Sequence, residues 1–206
     1  MERFIGASLG LLLLLASAAA VEGRMGPAAV FHNSVPTNHV LTGGGELPRI
    51  CDQVRFKAIC RGFTKLPGVA TPRQLLLASI RVASDKAREA KLRVEEYART
   101  HAAGPMKSIT DTCREGYDSV VQSLEETRQL VEARGTDSGD LNFKVSDAVT
   151  HADECKDAFA DFPEIKSPFA AMQQNVFRIV DNVLNIAAVV QQGKAHRAKP
   201  LGPHVH

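Results

Sequence analysis

Cysteine, histidine and clustered carboxylates are the side chains in this 206-residue sequence whose types and spacing could do chemistry. The cysteines are Cys51, Cys60, Cys113 and Cys155. Zinc ligands need short paired spacing with histidines nearby. The stretch from Cys51 to Cys60 does not offer this, so no metal site is expected. Disulfides are the other outcome, and export favours them. Four cysteines allow three pairings, and spacing does not choose among them. The sequential pairing joins segments that are adjacent along the chain. A bridge from Cys113 to Cys155 would close a long loop, contributing roughly 4 kcal/mol on a chain-entropy model.

The histidines and carboxylates point away from catalysis. Five of the seven histidines, His32, His39, His196, His204 and His206, lie towards the two ends of the chain. His101 falls at a helix end. His151 alone sits inside a helical pattern, where an exposed and inert state is expected. There is no Gly-x-Ser-x-Gly elbow and no phosphate loop. Nor is there a Glu-x-x-His pair of the kind that builds di-metal sites in bundles. No catalytic residue and no cofactor is expected. Asp111, Glu115 and Asp118 are spaced by four and three and therefore share one helical face. Glu125, Glu126 and Glu132 extend the acidity, and Asp147, Asp153, Glu154 and Asp157 form a second group. Acid–base catalysis needs two carboxyls in a cleft with different environments. Carboxylates opposite an apolar stripe are solvated instead, and such a face suits a partner better than a bond to be cleaved.

Four segments supply the elements that would carry these residues. Leu76, Ile80, Ala83, Ala87, Ala90, Val94 and Tyr97 step by three or four, with Thr71 as N-cap and Pro72 at the first helical position. Ile109, Cys113, Tyr117, Val120, Leu124, Thr127 and Val131 do the same, ending at Gly135. The third stripe is Leu141, Val145, Ala148, Ala152, Cys155, Phe159 and Phe162, stopped by Pro163. The fourth is Phe169, Met172, Val176, Ile179, Val183, Ile186 and Val190, entered through Ser167-Pro168. Four one-sided helices joined by short breaks hide their apolar faces against one another. This predicts an all-α, up-down-up-down four-helix bundle. Residues 48 to 66 read as a short helical hairpin preceding it. Cys113 and Cys155 both fall on inward stripes, so a bridge there would fasten the second long helix to the third. Well-filled stripes argue against a large internal cavity, though Ala83, Ala87 and Ala90 could leave room.

Residues 1–20 read as a signal peptide, with Arg3, the apolar run Leu9 to Leu15 and a cut after Ala20. That run is too short to span a bilayer, so a secreted chain with no membrane segment is expected. Residues 21–47 and 193–206 carry no apolar period and read as flexible, leaving a domain at 48–192. The net charge is only +2, but it is unevenly spread. From Arg49 to Lys107 there are 13 Lys and Arg against 5 Asp and Glu; from Ser108 to Gln192 there are 7 against 15. Either neighbouring helices cancel the two halves or the second half offers an acidic docking surface. Aromatics are few and no basic patch adjoins them, so nucleic acid is not an expected partner.

Cys51-x8-Cys60, Asp111-Thr112-Cys113-Arg114-Glu115-Gly116-Tyr117 and Cys155-Lys156-Asp157-Ala158-Phe159 together resemble the plant invertase and pectin methylesterase inhibitor family, over about residues 48 to 192. The resemblance implies a secreted four-helix bundle with a preceding hairpin and two sequentially paired disulfides. It also implies a non-enzyme that inhibits a cell-wall enzyme by covering its substrate cleft. Contacts to pectin methylesterase would come largely from the second and third long helices. Glu115 matches an acidic contact position and Asn142 a polar one, while Ser119 and Gln122 stand where acidic residues are often found. With Asp111 and Asp118 they make up the expected partner-binding set. Some invertase inhibitors carry Pro-Lys-Phe between those helices, where this chain has Ser138-Gly139-Asp140. Lys166-Ser167-Pro168-Phe169 in turn looks like the start of the last helix in invertase inhibitors. Pectin methylesterase is the preferred target and acid invertase the alternative. An extracellular helical ligand-binding or signalling protein is the rival of another class.

Overall fold

A computed structural model describes residues 45–198. The expected signal peptide, most of the segment that follows it and the last eight residues lie outside this range. Among the described residues six helices follow one another: α1 Glu46–Gln53, α2 Lys57–Phe63, α3 Pro72–His101, α4 Pro105–Arg134, α5 Asp140–Ala160 and α6 Ala170–Ala198.

Local chemistry sets the ends of the long helices. Thr71 is extended (φ −127°, ψ 159°), and its hydroxyl accepts from the Gln74 amide at 3.2 Å. The Gln74 side chain accepts in return from the Thr71 amide at 3.0 Å, completing a capping box with Pro72 in the first turn. Gly104 (φ 53°) and Gly135 (φ 71°) flank α4, both in backbone conformations that side-chain-bearing residues rarely adopt. A helix of 30 residues, such as α3, is about 45 Å long. The three-residue connection from α3 to α4 can only turn the chain back on itself. α3 packs on α4, α4 on α5, α5 on α6 and α6 on α3. The result is the expected antiparallel four-helix ring.

The inward stripes meet at the centre. Leu76, Ile80, Val94, Ile109, Tyr117, Val120, Leu124, Leu141, Val145, Val183 and Ile186 are all buried. Each such aliphatic side chain contributes roughly 1.5–3 kcal/mol by leaving water. Ala83, Ala87 and Ala90 are buried too. Tyr97, Phe162 and Met172 are only half-buried, because their stripes run out at one end of the bundle. That end is closed by rings. Tyr97 stacks on His101 with centroids 4.2 Å apart and meets Phe169 edge-on at 5.1 Å, and Phe169 meets Phe159 at 6.1 Å.

Both disulfides are sequential, Cys51–Cys60 and Cys113–Cys155, and no described cysteine is free. The first ties α1 to α2. Leu47, Ile50, Val54 and Phe63 bury the inner side of this hairpin against the ends of α3 and α6. Glu46 and Leu47 already belong to α1, and Leu47 is buried. α6 runs on to Ala198 through Gly193. A single glycine costs a helix only about 1 kcal/mol relative to alanine and does not stop it.

The hairpin also meets α6 through charge. Arg55 Nη1 lies 4.0 Å from Asp181 Oδ2, and the guanidinium groups of Arg55 and Arg178 both approach the Phe56 ring. Asp181 Oδ2 is buried without a hydrogen bond. Burial raises the Asp181 carboxyl above its ordinary value, only partly opposed by Arg55. A raised folded-state value means that the native chain holds this proton more tightly than the unfolded chain. Asp181 therefore costs stability once pH rises through the unfolded value, and the cost fades in acid. Asp181→Asn is expected to raise the melting temperature at neutral pH, with the gain shrinking as pH falls through the carboxylate range; a gain independent of pH contradicts this account. Removing the longer-loop bridge with C113A/C155A is expected to cost roughly 4 kcal/mol in urea unfolding, against roughly 3 kcal/mol for C51A/C60A. The reverse order would contradict the loop-length argument.

Candidate functional site

α4 presents its polar side away from Cys113, Tyr117, Val120 and Leu124. Asp111, Glu115, Asp118 and Gln122 all lie on that side. Glu115, Asp118 and Gln122 are exposed, the first two with side chains 71% and 53% open. Asp111 and Ser119 are half-buried. Ser119 lies on the flank turned toward α5, the side where Glu126 of α4 meets Lys144 of α5 at 2.6 Å. Five of the six residues expected to bind a partner are thus gathered on one helical face.

Asn142 is not among them. Its amide donates to Gln191 of α6, and Gln191 in turn donates to the Ser138 carbonyl at 2.7 Å. The half-buried Asn142 side chain braces α5 against α6 and the α4–α5 loop, which takes it out of the outer face. The neighbouring residue is the one that α5 holds out to solvent. Phe143 is 69% exposed, the most open large apolar side chain among the described residues. It directly precedes Lys144, whose ammonium group crosses to α4. The sequence carried a signal for it. Leu141 and Val145 define the α5 stripe, and an aromatic between them falls off that stripe.

The face is less negative than its carboxylate count implies. Asp118 receives Lys91 of α3 at 2.8 Å, and Asp111 receives Lys107 at 2.7 Å with Arg114 at 3.7 Å. Glu115 has Arg114 at 3.5 Å. Glu125 and Glu132 bracket Arg128, and Asp153 holds Lys156 at 2.8 Å. The ammonium groups of Lys107 and Lys144 hold the Asp111 and Glu126 carboxyls below their usual range. Arg128, helped by Gln129, pulls Glu125 down to about 2. The Asp118 carboxylate raises Lys91. Exposed pairs of this sort are each worth little in stability. Their effect is to leave a mosaic of both signs, nearer to the cancellation alternative than to an acidic surface.

The seam beneath this face is tight. The Cys113 and Cys155 Cα atoms stand 4.2 Å apart. One turn along, a Cβ on Gly116 would come within 2.9 Å of Glu154 Oε2 and 3.1 Å of the His151 carbonyl. His151 is half-buried rather than exposed, and its Nδ1 lies 2.7 Å from Glu154 Oε1. On the other side, Gln173 of α6 donates to the Cys155 carbonyl at 3.1 Å. α4, α5 and α6 are thus tied together at one level, so the outer residues project from a fixed frame. Among the described residues no group of histidine, cysteine and carboxylate side chains could hold a metal ion.

The model of the plant invertase/pectin methylesterase inhibitor family matches residues 46–186. The chain belongs to that family. Among solved structures it is similar to a mutant form of a pectin methylesterase inhibitor from Arabidopsis, with a TM-score of 0.58 and 20% identity over 71% of this chain and 95% of that one. It is also similar to a pectin methylesterase inhibitor from Arabidopsis thaliana, with a TM-score of 0.52 and 20% identity over 70% and 95%. At that identity the likeness is one of fold. No curated protein sequence matches the chain. Within this family member the tight seam yields a prediction. Gly116→Val forces Glu154 away and presses on the His151 carbonyl, and is expected to cost about 1–3 kcal/mol in urea unfolding. An unchanged midpoint would mean that the seam has slack.

Proposed function

We propose that this family member is a secreted, non-catalytic inhibitor of pectin methylesterase that occupies the enzyme's substrate cleft with its α4–α5 face. The observation carrying this reading is Phe143, an exposed aromatic next to Lys144, whose ammonium crosses the α4–α5 seam to Glu126 and through it to Gln122, on a frame pinned by the Cys113–Cys155 bridge. An aromatic anchor ringed by polar groups is the usual core of a protein–protein contact. A rigid frame adds to affinity, because little order is lost on docking. Because Asp111 and Glu126 keep their charge in mildly acidic surroundings, the mosaic persists there. The paired charges orient the encounter more than they hold the complex, so added salt slows association more than it speeds release.

Acid invertase fits less well. Lys166-Ser167-Pro168-Phe169, the segment that resembles invertase inhibitors, is accounted for by folding. The Ser167 hydroxyl accepts from the Phe169 amide at 3.1 Å, and Phe169 is buried. The apolar run Leu9 to Leu15 supports export, and no described helix is long and apolar enough to cross a membrane.

The mature protein, titrated against a plant pectin methylesterase and separately against acid invertase, is expected to abolish turnover of the first at one-to-one stoichiometry. Phe143→Ala is expected to weaken inhibition at least tenfold, and Glu115→Lys several-fold, with an unchanged helical spectrum. Inhibition of neither enzyme removes the reading, and inhibition of invertase alone transfers it to that target. Full potency in Phe143→Ala moves the contact elsewhere.

A further inference from the structure

At the end of the bundle away from the ring cluster, α1, the start of α3, the loop after α4 and the last turns of α6 enclose a cleft of about 490 Å³. The volume falls within the usual range for small-molecule sites. One wall is apolar, made by Ile50, Pro72, Val189 and Val190. The lining is also cationic. Arg49 and Arg73 belong to it, and it includes the first turn of the 30-residue α3, whose dipole is positive there.

Two details distinguish this from a chance dent. Arg73 Nη2 donates to the Val131 and Glu132 carbonyls at 3.2 and 3.1 Å, so the end of α4 fixes that guanidinium in place and leaves its other edge to a ligand. Thr136 is completely buried, lines the cleft, and its hydroxyl has no hydrogen-bond partner. A buried hydroxyl left unpaired costs free energy, and a ligand oxygen that displaces the atoms covering it from the cleft would satisfy it. Arg49 forms no ion pair among the described residues. Glu46, the one carboxylate at the rim, has a partner of its own.

We infer that this cleft binds a small monocarboxylate with an apolar body. The carboxylate sits between Arg49, Arg73 and the α3 N-terminus, Thr136 bonds one of its oxygens, and the hydrocarbon lies on Ile50, Val189 and Val190. A planar two-oxygen anion suits a guanidinium edge. A sugar acid fits poorly, since the lining holds no aromatic ring to stack on and one whole wall lacks polar groups. The site lies apart from the α4–α5 face and does not depend on the proposed target.

The test is calorimetric titration of the whole mature protein with 4-phenylbutanoate, alongside amide NMR shifts. Binding is expected, with shifts centred on Ile50, Thr136 and Val189. The matched alcohol 4-phenylbutanol, and acetate, are each expected to bind at least tenfold more weakly. Arg49→Gln is expected to weaken binding tenfold. Thr136→Val is expected to weaken it several-fold while leaving the melting temperature of the free protein equal or higher. No binding, equal affinity for the alcohol, or indifference to Arg49→Gln overturns the proposal. A lower melting temperature in free Thr136→Val would show that the hydroxyl is already satisfied, and would overturn it as well.

Discussion

The close approach of α4 to α5 governs the rest of this molecule. A disulfide whose Cα atoms stand 4.2 Å apart draws the two helices nearer than ordinary side chains allow. The sequence answers with Gly116 one turn later, where a larger residue would collide with Glu154 and the His151 backbone. Gln173 extends the same level into α6. Because the interior is close-packed, a displacement here is transmitted rather than absorbed. The outer positions of α4 and α5 thereby inherit a defined spacing, which a docking surface needs and which helix propensity alone would not supply.

Charge plays a secondary part, and its arrangement differs from its distribution along the chain. The basic first half and acidic second half of the sequence do not face each other as two sheets of opposite sign. Most ion pairs form three or four residues apart on one helix, such as Lys107–Asp111 and Arg128–Glu132. A few, Lys91–Asp118 and Lys144–Glu126 among them, stitch neighbours together. Long basic side chains reach nearby carboxylates without any change in backbone course, so an excess counted over a long stretch of sequence says little about the local field.

Much of the fold was legible in the residues, because the strongest signals are periodic and physical. Stripes at three- and four-residue steps, Thr71 with Pro72 at the start of α3, and Gly135 at the end of α4 define elements whatever their neighbours. Boundaries were less legible: Leu47 is drawn into α1 by tertiary burial, and Gly193 is carried along by an established helix. The candidate face was partly legible. Helical spacing placed Asp111, Glu115 and Asp118 together, since that is a property of a single helix, and the family resemblance added Ser119 and Gln122. Asn142 and His151 have settings that depend on a second element, Gln191 of α6 for one and the α4–α5 seam for the other. Neither partner is visible from local pattern. The cleft lined by Thr136 is a meeting of four separate segments and had no signature in the sequence at all.

The chain contains two tyrosines and no tryptophan. Tyr117 is sealed in the core, its hydroxyl without a bond, while Tyr97 sits at the rim against His101. The molecule is consequently almost dark when excited at the red edge of protein absorption. In any mixture, indole emission belongs wholly to the other component, so association can be followed without attaching a dye to either protein.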